Sequence, residues 1–322
     1  MVKTTALLLA LGAAAGAADY PEARISTAVL KAELLLPDAK TGYYRGTRFD
    51  WSGAISSLQF QGHEYFGKWF DRYDPKIHDA IQGPVEEFLT DEKGLGYDEA
   101  KTGESFVKIG VGAVRKPEET GFHKFQTYEI TDNGKWTVHL GSNFAEYTQE
   151  LSDTNGYAYI YKKTVRLIEG KPQMVLEHSL KNTGRKLIAS TVYEHNFYML
   201  DHQPAGPDFR VLFPFELHTE ADLHGLAEAR GKEFLYLKEL QDRQSAATPM
   251  TGFADSPADY DIRVENGKAG IGVRQTSDRP PARIYFWSIR STVCPEAYID
   301  LKVEPGQETT WRINYEFYTL SK

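Results

Sequence analysis

The chain has 322 residues, a formal net charge of −8, an aromatic content of 13% and one cysteine, Cys294. The acidic balance and the lack of clustered Lys and Arg argue against nucleic acid or an anionic membrane as a main partner, and a lone cysteine rules out an intramolecular disulfide framework. Stability must come from a hydrophobic core, which a mature chain of about 300 residues can bury as one large domain or two smaller ones.

Lys3 is followed by an apolar run, Ala6 to Ala15, shorter than the roughly 20 residues of a membrane span. Ala15, Ala17 and Ala18 then offer an Ala-x-Ala cleavage pattern. The expectation is a cleaved signal peptide over 1–18 and a periplasmic or secreted mature chain, 19–322, forming one domain. No later apolar stretch is long enough to span a bilayer.

Arg45 and Arg48 lie in Tyr43-Tyr44-Arg45-Gly46-Thr47-Arg48-Phe49-Asp50-Trp51. Guanidinium groups beside aromatic rings suit sugar hydroxyls, and the same segment also reads as a strand with an Arg48–Asp50 surface pair. Ala54–Phe60, Tyr157–Leu167 and Thr309–Tyr318 alternate β-branched or aromatic residues with polar ones, the period of a strand. Between them, Asp132-Asn133-Gly134, Glu169-Gly170-Lys171-Pro172, Asn182-Thr183-Gly184, Glu265-Asn266-Gly267 and Glu304-Pro305-Gly306 supply turns. The pattern predicts an all-β meander of hairpins. Ala221 to Asp242 is ambiguous between a helix and a hairpin broken at Gly231, and the loops Asp71–Pro84 and Gln244–Ala258 are long enough to carry function.

Three clusters could carry chemistry. In Gln82-Gly83-Pro84-Val85-Glu86-Glu87-Phe88 the glutamates read either as surface charges or, for Glu87, as a carboxylate in a cleft. Tyr193-Glu194-His195-Asn196-Phe197-Tyr198 sets an imidazole among aromatics at a strand end, where it could exchange a proton near neutral pH. In Cys294-Pro295-Glu296, Pro295 interrupts a strand pattern, so that Glu296 could leave the ladder and act as a shielded general base. Asp201, just beyond the histidine cluster, could position a loop at the rim. His63, His123 and His178 read as structural.

Together, Glu194-His195-Asn196-Phe197-Tyr198-Met199-Leu200, Cys294-Pro295-Glu296 and Val303-Glu304-Pro305-Gly306-Gln307-Glu308 resemble, in order and spacing, the NH.YFNL, C.EP and L.PGE segments of the aldose 1-epimerase (galactose mutarotase) family. The resemblance implies a galactose-mutarotase-like β-supersandwich of large antiparallel sheets with a sugar cleft. It further implies Glu296 as the base at the anomeric hydroxyl, His195 as the acid at the ring oxygen, and no metal or organic cofactor; the substrate contacts Arg48, Glu87, Asp201 and Arg45 are expected from their own sequence surroundings, not from the resemblance. The chain departs from the family early. Where the family has an arginine and a His-Gly step, Gln82 to Glu87 is acidic and carries no histidine.

The leading expectation is therefore an exported enzyme that interconverts the anomers of a neutral aldose. A glycoside-cleaving or eliminating enzyme that also uses Glu87 is the alternative, and a non-catalytic protein binding a monosaccharide or glycan is the third reading.

Overall fold

The computed structural model describes residues 20–320; the expected signal peptide lies outside them. Period-two alternation dominates the chain and produces two large antiparallel sheets. The first has six strands, in the order His218–Thr219, Ser245–Thr251, Arg283–Ile289, Thr292–Val303, Ile188–His195 and Val85–Leu89. The second has ten strands, with Asp261–Asn266, Ile271–Ser277, Glu308–Thr319, Gln173–Asn182, Tyr157–Leu167 and Phe144–Thr154 adjacent at its centre. Sheets of four and three strands flank them. Helical structure among the described residues is confined to two single 3₁₀ turns, Leu200–His202 and Pro257–Asp259.

The two large sheets meet through alternate residues. Tyr159, Tyr161 and Val165 of one strand, Leu176 and Leu180 of the next, and Trp311, Ile313, Tyr315 and Phe317 of a third all point inward and are buried. From the six-stranded sheet Phe88 packs edge-on to Tyr161 and Trp311, at ring separations of 5.3 and 6.2 Å. Each fully buried side chain of this size contributes roughly 1.5–3 kcal/mol. Since neighbours in a strand face opposite ways, Glu87, which precedes Phe88, lies on the other face of the sheet.

Ala54–Phe60 and Tyr157–Leu167 form strands at the expected bounds. The picture of a simple meander needs correction. Glu169 to Pro172 and Glu265 to Gly267 do close hairpins, but the turns at Asn182 to Gly184 and Glu304 to Gly306 carry the chain from one large sheet to the other. Turn residues fix a reversal of direction; which strand is then paired is decided by burial of the apolar face. Within Ala221–Asp242 the hairpin prevails: Ala227–Arg230 pairs with Glu233–Tyr236 around Gly231, whose φ of 59° suits glycine.

Pro295 does not break its strand, which runs unbroken from Thr292 to Val303. On the side of Ile188–His195 the continuous ladder ends at the pair Tyr193–Tyr298 and resumes only at the Tyr198–Val293 bridge, so Pro295 falls in the gap where an amide hydrogen is dispensable. Glu296 therefore leaves the sheet by ordinary alternation.

Candidate active site

The face of the six-stranded sheet turned away from the core forms the floor of a cavity of about 370 Å³. Its floor residues come from adjacent strands in register: Tyr193 lies opposite both Glu87 and Tyr298, and Tyr285 opposite Glu296. The same register, met again at the Tyr198–Val293 bridge, sets His195 across from Glu296. Gly83 lets the approach to Val85–Leu89 pass close to this point, since a Cβ there would lie 2.1 Å from the Asn196 carbonyl oxygen.

Glu296 Oε1 is 3.2 Å from His195 Nε2, and its Oε2 accepts a hydrogen bond of 3.2 Å from the Tyr298 hydroxyl. Burial pushes the Glu296 carboxyl up to about 7, against the pull of the Arg48 and Lys124 cations. Burial and then the same two cations push His195 well below the usual histidine range, which leaves it neutral. Its ring is held in an aromatic box: it stacks on Phe197 at 3.8 Å, Phe197 stacks on Trp69 at 4.6 Å, and Phe49 and Trp287 present their edges at 5.4 Å each. Phe197 adopts φ 48°, a left-handed conformation rare for an aromatic residue, at the point where the chain leaves the strand. His195 Nδ1 is buried without a hydrogen-bond partner among the described residues.

Arg48 also reaches this cavity. Its Nε donates to Glu87 at 2.9 Å and its Nη2 to the Tyr193 hydroxyl at 3.2 Å, while Tyr193 donates to Glu87 at 2.5 Å. Glu87 is wholly buried behind Arg48. Burial alone would raise its pKa, but Arg48, Lys124 and Lys108 outweigh that and hold it down at about 2. Its role is thereby corrected: Glu87 is the anchor of Arg48, with no surface on the cavity.

The structure thus brings His195, Glu296 and Arg48 to one cavity, with Glu87 beneath. It does not bring Asp201 or Arg45 there. The turn at Leu200–His202 carries Asp201 to the four-stranded sheet, where it sits 2.6 Å from His63 Nδ1 and accepts the Glu64 amide at 2.8 Å. Arg45 lies on the far side of its loop, with Nη1 donating to the Lys40 carbonyl at 2.6 Å.

Several wall residues carried no signal in the sequence. His78, its Nε2 3.3 Å from Asp79, lines the cavity from the long loop at 71–84, so an imidazole is present although the segment Gln82 to Glu87 has none. Lys124 and Phe125 come from another loop, and Arg283 stacks over Tyr298 at 3.8 Å while pairing with Glu92. Only the length of the first loop hinted at any of these.

A cluster that could take a metal lies elsewhere. Glu86, His178 and Glu194 are buried between the large sheets with ligand atoms within 4.8 Å of one another. Lys163 already pairs with Glu86, and His178 Nε2 lies 2.5 Å from it, so the cluster is compensated internally.

Neither a protein-family model nor a curated protein sequence matches this chain. Solved structures do. An aldose epimerase homologue from C. elegans superimposes with a TM-score of 0.57 at 13% identity, over 94% of this chain and 100% of the other. A galactose mutarotase-like protein from Lactobacillus casei gives 0.57 at 12% identity, over 92% and 100%. A galactose 1-epimerase from Lactobacillus acidophilus gives 0.53 at 10% identity, over 93% and 95%. Likeness of this extent at such identities establishes architecture: the chain has the galactose-mutarotase-like fold, in a divergent sequence.

Proposed function

We propose that the protein is an exported, aldose 1-epimerase-like enzyme that opens and recloses the ring of a neutral sugar by acid–base catalysis. The observation that carries this reading is the contact of 3.2 Å between Glu296 and His195 on the floor of a cavity. Anomer exchange moves a proton from the anomeric hydroxyl to the ring oxygen while the bond between C1 and that oxygen breaks. It needs one group to accept a proton and one to give a proton. With Glu296 near 7 and His195 neutral, the pair holds one proton at and below neutral pH. Passing it across the contact yields carboxylate and imidazolium, the state in which Glu296 is the base and His195 the acid. Arg48, fixed by Glu87 and Tyr193, is placed to hydrogen-bond a sugar hydroxyl, and the aromatic walls offer apolar faces to the ring.

Glycoside cleavage with Glu87 as a second carboxyl fits less well. Held at about 2 by three cations and shut off from the cavity, Glu87 has no proton to give at neutral pH. The test is exchange NMR between the α and β signals of glucose, galactose and mannose at equilibrium. Faster exchange with the wild type, lost in Glu296→Gln, supports the reading; unchanged exchange for every aldose tried would overturn it.

A further inference from the structure

A second and larger cavity, of about 730 Å³, lies beside the first. Three segments build both. Arg48, His78 and Phe125 face the candidate active site, while Arg45, Lys76 and Tyr128, two or three residues away along the same segments, face the second groove. Hydrogen bonds stitch the segments into one wall: Thr127 Oγ1 donates to the Lys76 carbonyl, and Thr47 Oγ1 accepts the Tyr128 amide at 3.0 Å and donates to the Gln126 carbonyl at 3.3 Å.

Phe125 belongs to this wall and is 60% exposed, the most open of the large hydrophobic side chains among the described residues. Its ring lies 4.8 Å from the His78 imidazole and 5.2 Å from the Arg48 guanidinium. Arg45 lines the groove behind it, with Nη1 donating to the Lys40 carbonyl at 2.6 Å. The charges lining the groove balance, Arg45 and Lys76 against Glu129 and Asp132, so it does not favour a polyanion. Trp51 and Tyr128 of its lining are buried, and the open aromatic face is that of Phe125 on the shared wall. An exposed aromatic face beside mixed donors and acceptors with no charge excess is the chemistry of a neutral glycan.

We propose that the groove binds the non-reducing residues of a neutral oligosaccharide whose reducing-end sugar enters the candidate active site, the glycan crossing the wall over Phe125. The substrate is then the free end of a glycan fragment, which a depolymerising reaction must supply. This rests on the ring-opening reading for its chemistry but not for its binding site.

The experiment compares glucose, galactose and mannose with maltotetraose, cellotetraose, β-1,4-galactotetraose and β-1,4-mannotetraose, by exchange NMR for turnover and by calorimetry for binding. The variants are Ala39→Trp, which fills the groove from an exposed position on its lining, and Lys76→Ala. At least one tetrasaccharide is expected to exceed its monosaccharide tenfold or more in kcat/KM. Ala39→Trp should abolish that advantage and Lys76→Ala reduce it, with monosaccharide exchange unchanged. Tetrasaccharide binding that Glu296→Gln retains and Ala39→Trp loses upholds the groove even if no anomer exchange is seen, in which case only the ring-opening reading falls. Tetrasaccharides that bind no better than monosaccharides, or an Ala39→Trp variant that weakens both alike, would overturn the proposal.

Discussion

Two clusters of ionisable groups sit back to back on the strands Val85–Leu89 and Ile188–His195, one residue apart in sequence. Glu86 and Glu194 face the core, where Lys163 and His178 of the ten-stranded sheet meet them; Glu87 and His195 face outward. In the core the charges are matched and sealed. Burial would raise Glu86, yet the Lys163 ammonium and the His178 N–H hold it well below the usual carboxylate range. Glu194, raised by burial and by the Glu86 charge, stays protonated. On the cavity side Glu87 is likewise saturated with cations, but Glu296 has only a tyrosine hydroxyl and a neutral imidazole as direct partners. One kind of side chain thus serves as a fixed structural charge in one place and as a carboxyl with a labile proton in another. The number of cations within reach decides which.

The largest expected effects separate the two faces. Glu296→Gln should lower anomer exchange by about 10²–10⁴-fold, the usual worth of a positioned acid or base, with the fold intact by circular dichroism. Lys163→Met should do the reverse. It leaves Glu86 buried without its cation and should cost about 3–5 kcal/mol in urea unfolding, with modest effect on turnover in whatever fraction stays folded. Adding Glu86→Gln to Lys163→Met should recover much of that loss, because the missing partner is then no longer charged. A Lys163→Met variant as stable as wild type would show that the core cluster contributes no net electrostatic stability.

Much of the outward face was legible in the sequence. Period-two alternation marked the strands, and the clusters around His195 and Glu296 marked the two floor residues that meet. The pairing itself was not legible, since the 3.2 Å contact depends on the register between two strands a hundred residues apart. Of the two neighbouring glutamates the sequence singled out Glu87, next to a buried-looking Phe88, for the cleft side; that it would lie wholly beneath Arg48 was not legible, because that depends on a loop residue distant in sequence. His78, Lys124 and Phe125 lie on loops whose spatial placement has no periodic signal. The misplacement of Asp201 has the same origin, proximity in sequence to His195 without proximity in space.

A smaller effect distinguishes the two carboxyls of the outward face by sign. Glu296 has a folded pKa of about 7 against an ordinary value of 4.5. The wild type therefore loses stability as pH rises from about 4.5 to 7, and ionised Glu296 costs on the order of 3 kcal/mol above that. Glu87, lowered to about 2, contributes stability that is present above 4.5 and lost as pH falls toward 2. Denaturant unfolding at pH 8 should accordingly find Glu296→Gln more stable than wild type and Glu87→Gln less stable. The exchange rate should also fall above about pH 7, where the Glu296–His195 pair gives up its proton; a rate that climbs steadily to pH 9 would remove that proton from the mechanism.

The smallest effect expected tests whether Asp201 is peripheral. Its carboxylate bonds the His63 ring and the Glu64 amide at a half-exposed site, and it tethers the strand His63–Glu64 to the chain leaving the histidine cluster. Surface ionic contacts of this kind contribute up to about 1 kcal/mol, and an asparagine can keep the bond to the amide. Asp201→Asn should therefore lower stability by about 0.5–1 kcal/mol and leave kcat and KM for the aldose unchanged. If KM rose several-fold while stability held, the loop that follows Asp201 would have to reach the sugar, and the boundary drawn between the floor of the cavity and the four-stranded sheet would need to move.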